Sequence, residues 1–112
     1  MTSLQNRLKA FGAKLAGVTG SKTYHYHAPN RPEAPYTVWA EDGEGDGSFS
    51  ADTTKAEQNI HLYIDYWTLT EFDPAVDSIQ DMLYGSSSEW RLTDVTHEDE
   101  TNLIHYVWEV NI

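Results

Sequence analysis

The sequence contains no cysteine. That absence removes disulfides, thiolate metal ligands and thiol catalysis together, and it permits a reducing compartment. Basic residues are also scarce: 7 Lys and Arg stand against 18 Asp and Glu, a formal charge of -11. A surface of that sign repels nucleic acid, which argues against ordinary DNA binding, and it serves solubility as well. No apolar run approaches the roughly 20 residues of a membrane span. The first residues are polar, with Arg7 and Lys9, and lack the apolar centre of a secretory leader. The expectation is a soluble chain that stays where it is made. Internal repeats and linker-like tracts are missing too, so residues 1–112 are expected to form one domain. With 39% hydrophobic and 12% aromatic residues the chain can pack a core despite its charge.

What is present is organised around Asn59 to Gly85. Ile60, Leu62, Ile64 and Tyr66 recur at period two, and His61, Tyr63, Asp65 and Trp67 fill the other phase. This is the pattern of a strand with two usable faces. Asp73-Pro74 then signals a helix start, with a carboxylate for the free N–H groups and a residue whose φ is already set. Gly85 signals its end through a left-handed residue. Between them Val76, Ile79 and Leu83 form one apolar stripe to lie on a sheet.

Upstream, Thr2 and Gln5 have the form of a capping box, and Leu4, Leu8, Phe11 and Leu15 follow at helical spacing. Gly12 weakens this helix, and Gly17 and Gly20 place its end near residue 16. Thr23 to Tyr26 is short and β-prone, and prolines 29, 32 and 35 make the next stretch a rigid loop. Tyr36 to Glu41 alternates as a strand, with Tyr36, Val38 and Ala40 in one phase and Thr37 and Trp39 in the other. Asp42 to Glu57 is rich in Gly, Asp, Ser and Thr and is expected to be a long mobile hairpin loop. Strands follow over Trp90 to Thr96 and Asn102 to Ile112, joined by the acidic turn Glu98-Asp99-Glu100. The order predicts an α+β fold: a mostly antiparallel sheet of four to five strands with two helices on one face.

Few residues suggest chemistry. Asp42, Glu44 and Asp46 with Gly47 match the opening of a calcium loop, but Thr53 stands where a bidentate glutamate belongs, and the flanks read as strands. His25 and His27 share a strand face and would need His61 or His105 to complete a metal site, with no spacing that fixes their proximity. Ser86, Ser87 and Ser88 lie in a polar stretch without a nucleophile elbow. No enzyme, metal or cofactor is expected. The aromatic set Trp39, Tyr63 and Trp67, with His105 and Val107, is assigned to the strand face opposite the helices. Two helices cannot cover both faces, so this one is either half-exposed or an interface, where Trp and Tyr are enriched.

The amphipathic opening Leu4 to Leu15, the Gly17-Val18 turn, Pro35-Tyr36-Thr37-Val38 entering a strand, the polar hairpin, Leu62 within His61 to Trp67 and the helix Ala75 to Leu83 together form a pattern spanning nearly the whole chain. It resembles the small tail-terminator and tail-completion proteins of long-tailed phages and prophages, also described as head–tail joining or minor capsid proteins. The acidic glycine-rich loop departs from that family. The resemblance implies an α+β subunit that assembles as a homo-hexameric ring on the tail tube, stops its growth and forms the joining surface for the head. Implied partners are copies of itself, the tail tube protein and a head-completion or connector protein, with genome DNA passing through unbound and no membrane involved. The implied location is the head–tail junction of the virion, and the host cytoplasm during assembly. Under that resemblance Trp39, Tyr63 and Trp67 are expected at subunit or tail contacts. Asp42, Glu44, Asp46, Glu98, Asp99 and Glu100 are expected along the channel or at a partner. The alternative is an acidic monomeric adaptor or inhibitor that mimics nucleic acid.

Overall fold

The computed structural model describes residues 3–30, 32–45, 57–86 and 89–112. The elements are α1 (Leu4–Thr19), β1 (Thr23–His25), β2 (Tyr36–Glu44), β3 (Ile60–Thr68), α2 (Pro74–Gly85), β4 (Glu89–His97) and β5 (Ile104–Asn111). Among the described residues the strands build one sheet in the order β1-β2-β3-β5-β4. Only β1 and β2 run parallel; the other pairs are antiparallel. The fold is α+β with a mostly antiparallel sheet.

The two-phase pattern of β3 sets the layers. Ile60, Leu62, Ile64, Tyr66 and Thr68 are buried, and the residues between them are half-buried. Antiparallel register continues the buried face into β5, where Leu62 pairs with Val110 and Ile64 with Trp108. Both helices lie on that face, contributing Leu8, Phe11 and Leu15 from α1 and Ile79 and Leu83 from α2. Each such side chain, fully buried, contributes about 1.5–3 kcal/mol. The one polar atom of Trp108 is not wasted, since its indole N–H donates to Gln80 at 3.1 Å.

Asp73 caps α2 as its position predicts, and it also ties the helix to the end of β3. One carboxylate oxygen accepts from the Ala75 N–H at 2.9 Å. The other accepts from the Tyr66 and Thr68 hydroxyls, each at 2.7 Å. Burial, reinforced by this carboxylate, pushes the Tyr66 phenol well above its usual range.

Several local expectations are corrected. The cap of α1 is Ser3, whose side chain accepts from the Asn6 N–H at 3.4 Å. The helix runs past residue 16 to Thr19, whose hydroxyl donates back to the Leu15 carbonyl at 2.8 Å; it stops at Gly20, which takes φ 85 and donates to the Ala16 carbonyl. Gly12 is a seat, not a weak point: a Cβ there would stand 2.7 Å from the Trp39 ring. Gly85 remains helical, and Ser86, at φ -86, ends α2 by donating its N–H to the Met82 carbonyl. The proline-bearing loop from β1 to β2 connects parallel strands, an exception to the antiparallel pairing expected of most of the sheet. Asp42, Gly43 and Glu44 are strand, paired along β3 as far as Glu44 opposite Ile60, so the expected loop starts later than its composition suggests. Asp46 and most of that loop lie outside the described residues.

Candidate interaction surface

The face of the sheet away from the helices presents the second phase of β3: His61, Tyr63, Asp65 and Trp67. Register sets Trp67 between Tyr36 of β2 and His105 of β5. The three rings stack, with Tyr36 4.6 Å and His105 4.3 Å from the Trp67 ring centre. His105 is held in the stack by Asp65, its Nε2 lying 2.8 Å from the carboxylate. Tyr63, two residues along, meets His61 edge-on at 5.0 Å. The result is a preformed aromatic shelf with a polar handle at each histidine, the composition that interface centres favour.

The other end of the face is a charged clamp. Asp42 is the extra residue at a bulge between Glu41 and Gly43, which turns its carboxylate onto His61. Nδ1 of His61 lies 2.5 Å from Asp42, and Nε2 lies 2.6 Å from Glu109 of β5. Arg91 of β4 reaches the other oxygen of Glu109 at 3.0 Å. Both ring nitrogens can donate only when the imidazole is protonated. Partial burial works against that charge, yet the two carboxylates outweigh it and raise the His61 pKa above its ordinary value. Glu109 is held below the usual carboxylate range by His61 and then by Arg91.

Tyr63 and Trp67 occupy the outer face as expected, but Trp39 does not. It pairs with Ile64 on the helix side and is 6% exposed. There it packs against Phe11 at 5.4 Å and under the His25 ring at 3.9 Å, above the space that Gly12 leaves. The β2 residues that face outward are Tyr36, Val38 and Ala40. The outward-facing Tyr36 was legible as a strand residue, but its role depends on the register. His25, with Nε2 2.6 Å from Glu41, sits on the opposite face from His61 and His105, so these histidines do not converge.

The acidic candidates divide. Asp42 is in the clamp, and Glu44 accepts from the Gln58 side chain at 3.0 Å at the Ile60 end of β3. Glu98, Asp99 and Glu100 lie in the β4–β5 turn, beside the strand ends where Ile104 pairs with Thr68. That is the opposite end of the sheet. Here Asp99 lies 3.3 Å from His97, and Glu98 accepts from Thr101 at 2.9 Å. Near the same end Leu69 and Phe72 are 54% and 89% exposed. Phe72 also takes φ 57, a left-handed conformation that costs a bulky residue about 1–3 kcal/mol. Nothing in the sequence pattern marks this apolar corner, because both residues lie in a turn where periodicity is silent.

No family model matches the chain, and no curated protein matches it. Among solved structures it is similar to a chain in the virion of a native gene transfer agent (GTA) particle, at 17% identity and a TM-score of 0.47, with 96% of this chain and 89% of that chain covered.

Proposed function

We propose that this chain is a structural virion protein of a phage or prophage, a tail terminator that caps the tail tube, ends its polymerisation and forms the surface to which the head joins. It works as a closed ring of identical subunits, six in the family it resembles, and needs no catalysis. The observation that carries this reading is the outer face of the sheet. Both helices pack on the other side, and the Tyr36–Trp67–His105 shelf is left as a rigid, partly exposed aromatic surface next to the Leu69–Phe72 corner. A ring requires a contact in which two different patches of the subunit meet, and an ordered aromatic shelf supplies one of them at little entropic cost. The nucleic-acid-mimic alternative has less support, because the outer-face carboxylates Asp42, Asp65 and Glu109 are each already engaged by a histidine.

Trp67→Asp tests the proposal. The variant is expected to keep its circular dichroism spectrum and to lose association with its own copies and with tail tubes, which then grow beyond their normal length. Unchanged tail capping by a folded W67D protein overturns the assignment of this face.

A further inference from the structure

The sheet ends on β4, nine residues long, with no described strand on its far side. The opposite edge, β1, has only three residues. An edge of this length presents a row of free backbone N–H and C=O groups, and its side chains are nearly all exposed. Leu92 and Val95, on the helix side of the sheet, extend beyond the cover of α2 and are 38% and 53% exposed.

We infer that β4 pairs antiparallel with β4 of a second copy, joining two five-stranded sheets into one. The choice of partner rests on register. Glu89, Arg91, Asp94 and Thr96 lie opposite Asn111, Glu109, Val107 and His105, and so share the outer face; Trp90, Leu92 and Val95 lie opposite Val110, Trp108 and Tyr106, on the helix face. A bulge between Leu92 and Asp94 adds one residue at the middle of the strand. In a regular strand Arg91 and Asp94 would point to opposite faces; the bulge puts them on one. Two copies related by a dyad between Leu92 and Thr93 therefore set Arg91 against the second copy's Asp94, twice. The same register sets Trp90 against Val95, also twice, with each side chain matched to its own face. A shift of two residues one way would oppose Glu89 to Asp94, and the other way would leave Arg91 facing Thr96. Charge and hydrophobicity select the same alignment, which is what complementary cross-strand pairs require. The pair is isologous and closes on itself, so it leaves the aromatic shelf of each copy free. It does not depend on the tail-terminator proposal.

Sedimentation and amide hydrogen exchange on the full chain test the pairing. The wild-type protein is expected to associate toward twice 12.7 kDa. Arg91→Asp and Asp94→Arg, each alone, should raise the dissociation constant roughly tenfold or more, because two symmetry-related attractions become repulsions. Mixed in equal amounts the two variants should form a heterodimer, since each then meets its opposite charge. A wild-type chain that stays monomeric at high concentration overturns the inference, as does a mixture that gains no association. Exchange of the β4 amides provides a readout free of any substitution. Protection of Glu89 to Thr96 that rises with protein concentration supports the pairing. Association through any other surface, with β4 exchange unchanged, overturns it.

Discussion

His61 holds three strands together across the outer face, and its protonation sets how firmly. Its folded pKa lies above the ordinary value, so the stabilisation is complete below about pH 6.5 and is lost as pH rises through the folded value. Glu109 has the opposite sign: its folded pKa is depressed, and its contribution is lost as pH falls through that value. The clamp is therefore strongest in mildly acidic solution. His61→Asn should remove a small, pH-dependent part of the stability, seen as a difference between wild-type and variant urea unfolding that shrinks from pH 6 to pH 8.5. Parallel profiles for the two proteins would show that the ring does not titrate against its carboxylates. Little of this clamp was legible in the sequence. His61 and Glu109 could be placed on one face by alternation, but Asp42 sits among glycines and looks like loop, and only the bulge brings it to the ring.

The unit of β3 and α2 was largely legible, because both of its signals are local. Alternation over Ile60 to Trp67 fixes the faces of the strand, and Asp73-Pro74 fixes the start of the helix whatever surrounds them. The second task of Asp73, accepting the Tyr66 and Thr68 hydroxyls, depends on how the chain turns through residues 69–72 and leaves no trace in spacing. Asp73→Ala should cost about 2–4 kcal/mol: a lost cap, and buried hydroxyls left without their acceptor. Chemical denaturation measures it, and a loss under 1 kcal/mol would mean that water replaces the carboxylate. Burial raises the Asp73 pKa, but Tyr66, the Ala75 N–H and Thr68 outweigh it and hold the value below the usual range, so this stability is present at neutral pH and lost as pH falls through the folded value. β2 was legible as a strand, but its faces were misassigned for the converse reason. Its phases, Tyr36, Val38 and Ala40 against Thr37 and Trp39, are about equally apolar, and the choice between them is made by Gly12, which only the assembled fold brings to Trp39. β1 was legible as a short β-prone stretch, but its parallel pairing with β2 was not, since three residues carry no periodicity that could fix a direction.

For the molecule as a whole, the separation of the acidic groups decides what its charge can do. A nine-residue strand spans roughly 30 Å, several times the Debye length of about 8 Å at physiological salt. Glu44 and the Glu98–Glu100 turn are therefore electrically independent, and in the proposed ring at most one group can line the narrowest part of the channel. In virions, lysines at Glu98, Asp99 and Glu100 or a lysine at Glu44 should slow DNA release, in one case only, and the slowing should fade as salt rises. Wild-type release in both would overturn the expectation that either group lines the channel. The same layering distributes the four tryptophans across distinct environments: Trp39 and Trp108 in the core, Trp67 on the aromatic shelf and Trp90 beside the β4 edge. Trp67 is stacked between the Tyr36 and His105 rings, while Trp90 is half in water. The protein thus carries its own optical label for each of its two candidate contact surfaces, and intrinsic fluorescence of single-tryptophan variants can tell which surface has been covered without any added dye.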